Sequence, residues 1–309
     1  MPDKVCSMRE AIARYVPDGA SVFMGAALES LIPFSAGHEL IRQRRRDLTL
    51  IGPISDMLFD QLIGAGCVAR VIAAWVGNVS AGLGHCYRRA VEQGVPRPIA
   101  VEDHSNYTLG LALLAGAHGV PFMPTRTVLG TSILESNPAL RVGTWPPEAH
   151  GAGVPLVFVP AIQPEVAILQ VQRSDPEGNA HAWGNLGVSQ EAALASQHVI
   201  LVAEEIVARD VILSDPNRVL VPGFRVAAVV HEPFGAHPSP VQGYYGRDHA
   251  FYDAYHEATR TVEGFARWQA TWVDGVPDRA AYLERLGEER WRALLPRAHR
   301  YAAPVDYGY

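Results

Sequence analysis

No stretch of this chain approaches the ~18 consecutive apolar residues that a membrane-crossing helix requires. The first fifteen residues carry charges throughout and lack an apolar core, so no signal peptide is expected and the cytoplasm is the expected compartment. Cysteine is scarce. Cys6, Cys67 and Cys86 are odd in number and lack metal-ligand spacing, which excludes a disulfide framework and fits free thiols in a reducing compartment. Basic charge is also in short supply, with 26 Lys and Arg against 32 Asp and Glu and a formal net charge of −6. Nucleic-acid binding needs a clustered cationic excess to neutralise phosphates, so no nucleic-acid partner is expected. A P-loop and a GxSxG elbow are missing, which removes the common NTPase and serine-hydrolase readings. His231-Glu232 and His237 show no zinc spacing, and Pro233, Gly235 and Pro238 forbid the helix that an HExxH site needs, so no metal site is expected. There is no repeat at a solenoid period either.

What is present is a balance of 48% hydrophobic and 19% charged residues over 309 positions, enough to bury a sizeable core. One large domain or two close-packed lobes both fit that length. Ser7 and Glu10 have capping-box spacing, so an opening helix is predicted that stops before Pro17-Asp18-Gly19. Short apolar runs at 21–25, 48–51, 71–76 and 99–101 then alternate with helix-like stretches starting near Pro33, Met57 and Arg88. The runs are continuous rather than alternating, as in parallel strands covered on both faces. The expected fold is therefore α/β, an open, doubly wound, mostly parallel sheet. Residues 106–118 read as a helix stopped by Gly119, 120–126 as an apolar segment, and 127–154 as a long functional loop or a subdomain boundary. Runs at 156–160, 166–171, 199–203 and 226–230 predict further buried strands. Phe251, Tyr255, Val262, Phe265, Trp268 and Trp272 recur at helical spacing, with Tyr282, Leu283, Leu286 and Trp291 on a further helix. Such a stripe reads as core or subunit interface, so residues 1–246 are assigned to the α/β domain and 247–309 to a helical extension packed on it or on a partner.

Two strand ends stand out. Gly25-Ala26-Ala27-Leu28-Glu29-Ser30-Leu31-Ile32-Pro33 joins a strand to a helix, and small residues there let backbone N–H groups approach a phosphate or a developing oxyanion. A tight turn without a ligand would have the same sequence. The basic run 42–46 falls at the far end of that helix and reads as a solvated last turn that favours the helix dipole. Gly64-Ala65-Gly66-Cys67-Val68-Ala69 matches GxGxxA but follows a helix and enters a strand, the wrong order for a dinucleotide site. The second strand end is Val101-Glu102-Asp103-His104-Ser105-Asn106. Acids at the carboxyl end of a strand are placed for proton transfer, although Asp103, Ser105 and Asn106 also suit a helix cap. Arg126 follows the next apolar segment and can return to the same edge, either to hold Glu102 ionised or to take a substrate carboxylate.

These segments together resemble the α-subunits of two-chain class I CoA-transferases, the glutaconate CoA-transferase type most closely. The resemblance runs from about residue 11 to 245. It rests on the Asp18-Gly19 turn with its glycine loop, Val101 to Tyr107, Val120 to Arg126, Val171-Gln172-Arg173-Ser174-Asp175-Pro176-Glu177-Gly178-Asn179, Ala203-Glu204-Glu205-Ile206-Val207, and Pro233-Phe234-Gly235-Ala236-His237-Pro238. It implies a sheet shared with ribose 5-phosphate isomerases and a β-chain partner of related fold in a heterodimer or heterotetramer. It also implies coenzyme A handled as a thioester substrate, with no bound cofactor, and a nucleophilic glutamate on the β-chain that passes through an anhydride and a glutamyl-CoA thioester. Gly25, Ala26 and Ala27 would then form the oxyanion and CoA-binding loop. Asn78, Asn106 and His237 are the expected substrate-binding side chains. Some relatives are ring-opening hydrolases of steroid degradation or decarboxylases. In the hydrolases the position of Glu102 is an acid or base, with an arginine at the position of Arg126. This sequence keeps both and departs at Ala26-Ala27 and Ser239-Pro240. The expected functions, in order, are CoA-transferase subunit, CoA-thioester hydrolase or lyase, non-catalytic scaffold and sugar-phosphate isomerase.

Overall fold

The computed structural model describes residues 3–26, 28–145 and 153–296. The first half of the chain alternates as its apolar rhythm predicts. It comprises α1 (Met8–Tyr15), β1 (Ser21–Phe23), α2 (Phe34–Arg42), β2 (Leu48–Ile54), α3 (Met57–Gly64), β3 (Val68–Trp75), a small hairpin of β4 (Gly77–Asn78) and β5 (Gly82–Leu83), α4 (His85–Gln93), β6 (Ala100–Asp103) and α5 (Asn106–His118). Local chemistry sets the ends. Ser7 and Glu10 close a reciprocal capping box on α1, and Ser105 with Thr108 does the same for α5. Gly94 and Gly119 stop α4 and α5 in the left-handed conformation.

The stretch from 122 to 160 forms its own antiparallel sheet. It consists of β7 (Phe122–Thr125), α6 (Ser132–Ser136), β8 (Arg141–Trp145) and β9 (Val154–Pro160), ordered β7-β9-β8. The run at 156–160 is therefore not a main-sheet strand. Its burial alternates, and Val157 and Val159 pack with Ala112 of α5 in a separate small cluster. An antiparallel sheet buried on one face needs only every second residue apolar.

The main sheet resumes with β10 (Val166–Ser174), β11 (Ala180–His181), α7 (Ser189–Ala195), β12 (His198–Ile206), α8 (Arg209–Leu213), β13 (Val219–Val221) and β14 (Val226–His231). Seven strands run parallel in the order β14-β12-β10-β1-β2-β3-β6, and β11 and β13 add short antiparallel pairings beside the end of β10. Successive residues point to opposite faces. Val22, Val166 and Ile168 face α1 to α3, whereas Phe23, Ala167 and Leu169 face α5 and α7.

The aromatic C-terminal stretch folds as α9 (His249–Ala258), α10 (Val262–Gln269), α11 (Arg279–Leu286) and α12 (Glu288–Ala293). Phe251, Tyr255, Phe265, Trp268 and Tyr282 are buried in the same cluster as Phe34, Leu40 and Leu58 of α2 and α3, while Val262 is exposed. Among the described residues, no helix is long and apolar enough to cross a membrane.

The chain winds outward from β1 through β2 and β3 to β6, then returns to β10 on the other side of β1 and winds outward again through β12 to β14. The switch in winding therefore falls between β1 and β10. Open α/β sheets bind their ligands outside the carboxyl ends of the strands at such a point. Gly25 lies just past one of those ends and Gln172 on the other.

Candidate active site

The segment after β1 is tightly constrained. Gly25 has φ of 76°, and Leu28 and Leu31 are also left-handed at 63° and 56°. A Cβ at Gly25 would lie 2.8 Å from Ser55 Cα and closer still to Ser55 Oγ. That same hydroxyl donates to the Met24 carbonyl at 2.8 Å. Glycine is thus required by both backbone conformation and space.

Three other segments fix this loop. The Val188 amide donates to the Ala26 carbonyl at 3.2 Å. Ser239 Oγ donates to the Glu29 carbonyl at 2.7 Å and accepts from the Ile32 amide at 3.3 Å. The Leu31 amide donates to Pro240 O at 3.1 Å, and the Ser35 amide to Gly235 O at 2.9 Å. By contrast, among the described residues the buried amides of Gly25 and Ala26 donate to no protein acceptor. Buried amides without protein partners are rare, and an ordered water or a ligand oxygen is the usual complement. Ala27, the third expected member of the loop, lies outside the described residues. Pro33, the predicted first residue of the helix, is instead its cap, and α2 starts one position later at Phe34.

On the β2 side, Asp56 is fully buried with φ of 47°, accepts from the Met57 and Val79 amides, and pairs with Arg247 at 2.7 Å. Burial pushes its carboxyl up from the ordinary range, opposed chiefly by Arg247. Arg247 lies over the Tyr252 ring at 3.7 Å and reaches Glu29 at 3.9 Å, tying the C-terminal helices to the loop.

Glu102 sits on β6 at the edge of the sheet. Arg70 of β3 donates to its Oε2, and His104 Nε2 lies 3.0 Å from its Oε1. The carboxyl is held below the ordinary range, first by the His104 hydrogen bond and further by Arg70, against the opposing effect of burial. It is therefore set as an ionised acceptor. Arg126, expected beside it, is exposed and makes no ion pair among the described residues; Arg70 fills that place.

The expected substrate-binding residues separate. Asn106 is exposed in the first turn of α5. Asn78 is buried, donating to Tyr252 O at 2.7 Å and accepting from Ser80 N at 3.0 Å. His237 is fully buried between Tyr282 Oη at 2.9 Å and Asp248 at 3.1 Å, and burial lowers its pKa to about 4. Both hold structure and are closed to solvent.

Sequence reasoning passed over Glu204, at the end of β12. Its carboxyl accepts from Tyr245 Oη at 2.5 Å, Gln170 Nε2 at 2.7 Å and the Phe234 amide at 2.7 Å. Burial raises its pKa to about 7. The acid pair Glu204-Glu205 at a strand end was the signal available.

Comparison with known proteins agrees with this geometry. Residues 5–232 match the family model described as Coenzyme A transferase. A 3-oxoadipate CoA-transferase subunit of Pseudomonas knackmussii is 36% identical over 285 residues, covering 92% of this chain and 99% of that one. The crystal structure of glutaconate coenzyme A-transferase from Acidaminococcus fermentans superposes with a TM-score of 0.87 at 30% identity, covering 95% of this chain and 96% of that one. The cholesterol ring-cleaving hydrolase IpdA subunit of Mycobacterium tuberculosis is 28% identical over 300 residues, covering 94% of this chain and 100% of that one. A parallel sheet with its switch point at the Gly25 loop, and matches along nearly the whole length, give one conclusion: this chain belongs to the coenzyme A transferase family, as a subunit of the α type.

Proposed function

We propose that this chain is the α-subunit of a two-chain CoA-transferase that moves CoA between an acyl-CoA and a carboxylic acid, with the nucleophilic glutamate supplied by a β-subunit of related fold. The observation that carries the reading is the pair of buried, unpartnered amides at Gly25 and Ala26, placed at the switch point of the sheet. The two transferase relatives, each matched over nearly its full length, support it further.

The chemistry proceeds by exchange at two carbonyls. The partner's glutamate carboxylate attacks the thioester carbonyl, and the C–S bond breaks to give an acyl-glutamyl anhydride and CoA thiolate. The thiolate attacks the glutamyl carbonyl, releasing the first acid as carboxylate and leaving a glutamyl-CoA thioester. An acceptor carboxylate then repeats the sequence in reverse. Each step passes through a tetrahedral oxyanion, and the Gly25 and Ala26 amides, with Ala27 beside them, would stabilise it. Asn106, exposed at the start of α5, is the proposed substrate contact, whereas Asn78 and His237 act by shaping the walls.

Glu102 supports a second reading, hydrolysis or lysis of a CoA thioester. Ionised and bridged by Arg70 and His104, it is suited to accept a proton rather than to give one, and the exposed Arg126 is available for a substrate carboxylate. The two readings differ in a covalent intermediate. Incubating the assembled two-chain enzyme with acyl-CoA, quenching with borohydride and mapping each chain by mass spectrometry tests the first. Reduction of a single glutamate on the β-chain to the alcohol is expected. Acyl-CoA turnover without any modified glutamate would overturn it.

A further inference from the structure

The oxyanion loop is held from behind by a chain of hydrogen bonds that begins at a buried acid. We infer that Glu204 is a positioning residue for the Gly25 loop, acting through the turn at residues 234–239 and the Ser239 hydroxyl; this rests on the loop's proposed role.

Three donors converge on the Glu204 carboxyl. Gln170 Nε2 on β10 and Tyr245 Oη both reach Oε1, at 2.7 and 2.5 Å, and the Phe234 amide reaches Oε2 at 2.7 Å. Tyr245 Oη in turn accepts from the Ala236 amide at 3.1 Å, and its ring stacks on Phe234 with centroids 4.3 Å apart. The carboxyl therefore fixes the first half of the turn both directly and through Tyr245. The second half carries Ser239, whose hydroxyl bridges Glu29 O and the Ile32 amide, and Pro240, whose carbonyl takes the Leu31 amide. On its other side the turn is anchored by Arg279 of α11, which donates to the carbonyls of Phe234 and His237.

All three groups donate to the carboxyl, and because the Tyr245 hydroxyl can also accept, the cluster can hold the acid with or without its proton. The titratable and charged groups facing it are Tyr245, Tyr244 and Arg279. Burial outweighs the donors and raises the carboxyl to about 7.

The test uses the assembled enzyme with its β-chain, and the full-length α-chain for exchange measurements. Glu204→Gln is expected to lower kcat on the order of tenfold with little change in acyl-CoA KM, because it disturbs placement rather than binding. Tyr245→Phe, which removes one donor to the carboxyl and the acceptor of the Ala236 amide, should lower kcat in the same way with KM again little changed. Hydrogen exchange of residues 28–35 should quicken in Glu204→Gln, a readout that does not depend on which reaction the enzyme performs. A loss that falls on KM rather than kcat in both variants, or exchange at 28–35 equal to wild type in Glu204→Gln, overturns the inference. If exchange quickens while wild-type enzyme releases CoA without an acceptor, the positioning role stands and the transferase reading fails.

Discussion

Ser239 Oγ donates to the Glu29 carbonyl at 2.7 Å across 210 residues of sequence, joining the second half of the fold to the loop after the first strand. Replacing Ser239 by alanine leaves the Glu29 carbonyl and the Ile32 amide without their shared partner. A loss of about 1–2 kcal/mol in unfolding free energy is expected by denaturant titration, together with a lower kcat. Hydrogen exchange of residues 28–35 should quicken in Ser239→Ala as in Glu204→Gln, because the substitution breaks the same chain of contacts nearer the loop.

Gly25 and Gly19 make a matched pair for asking whether space or backbone conformation fixes the loop. Both have positive φ, 76° and 81°, but a Cβ at Gly19 meets nothing within 4 Å whereas one at Gly25 runs into Ser55. Gly19→Ala should cost only the conformational strain, about 1–2 kcal/mol, and leave kcat alone. Gly25→Ala should cost more and abolish turnover. Equal thermal shifts in the two variants would refute the close-approach argument.

Much of this scaffold was legible because its determinants are local. The capping box at Ser7 and Glu10, the helix at 106–118 and its Gly119 stop all follow from neighbours within four residues. The sheet at 122–160 was not legible as such. Its apolar run looks like a buried parallel strand, and only the pairing of β9 with β7 and β8 shows that one face is covered. The C-terminal stripe gave its buried residues but not its four helices, whose breaks depend on caps at Thr261 and Asp278 and on Gly287. Glu102 was readable as a strand-end acid. Its partner was not, since Arg70 comes from a neighbouring strand whose register no sequence pattern reports. The clamp at Glu204 and Ser239 was hidden for the same reason: the bonds that reach the Glu204 carboxyl and the loop join residues 30 to 210 positions apart.

The buried Glu204 carboxyl also has a consequence for stability. Its folded pKa, about 7, lies above the ordinary 4.5, so its contribution is full below 4.5 and is lost as pH rises through 7. The difference in unfolding free energy between Glu204→Gln and wild type should therefore move in favour of the variant between pH 5 and 8, by on the order of 3 kcal/mol. A pH-independent difference would show that the carboxyl titrates normally.

Glu102 has the opposite sign. Its lowered pKa means that its contribution is present above the ordinary carboxylate range and is lost as pH falls through its folded value. Glu102→Gln should flatten the acid side of the stability profile. In a transferase it should reduce turnover only a few-fold, whereas loss of a general base costs roughly 10²–10⁴-fold. Steady-state kinetics of the variant in the assembled enzyme separates the two.

The central claim is that a carboxylic acid, not water, receives the activated acyl group's CoA, and acceptor dependence tests it most directly. The two-chain enzyme is supplied with acyl-CoA, with and without a carboxylic acid acceptor, and free CoA and new acyl-CoA are followed by chromatography. The account predicts new acyl-CoA in step with acceptor and almost no free CoA in its absence. Cleavage of the thioester or of the acyl chain at the same rate without acceptor would contradict it.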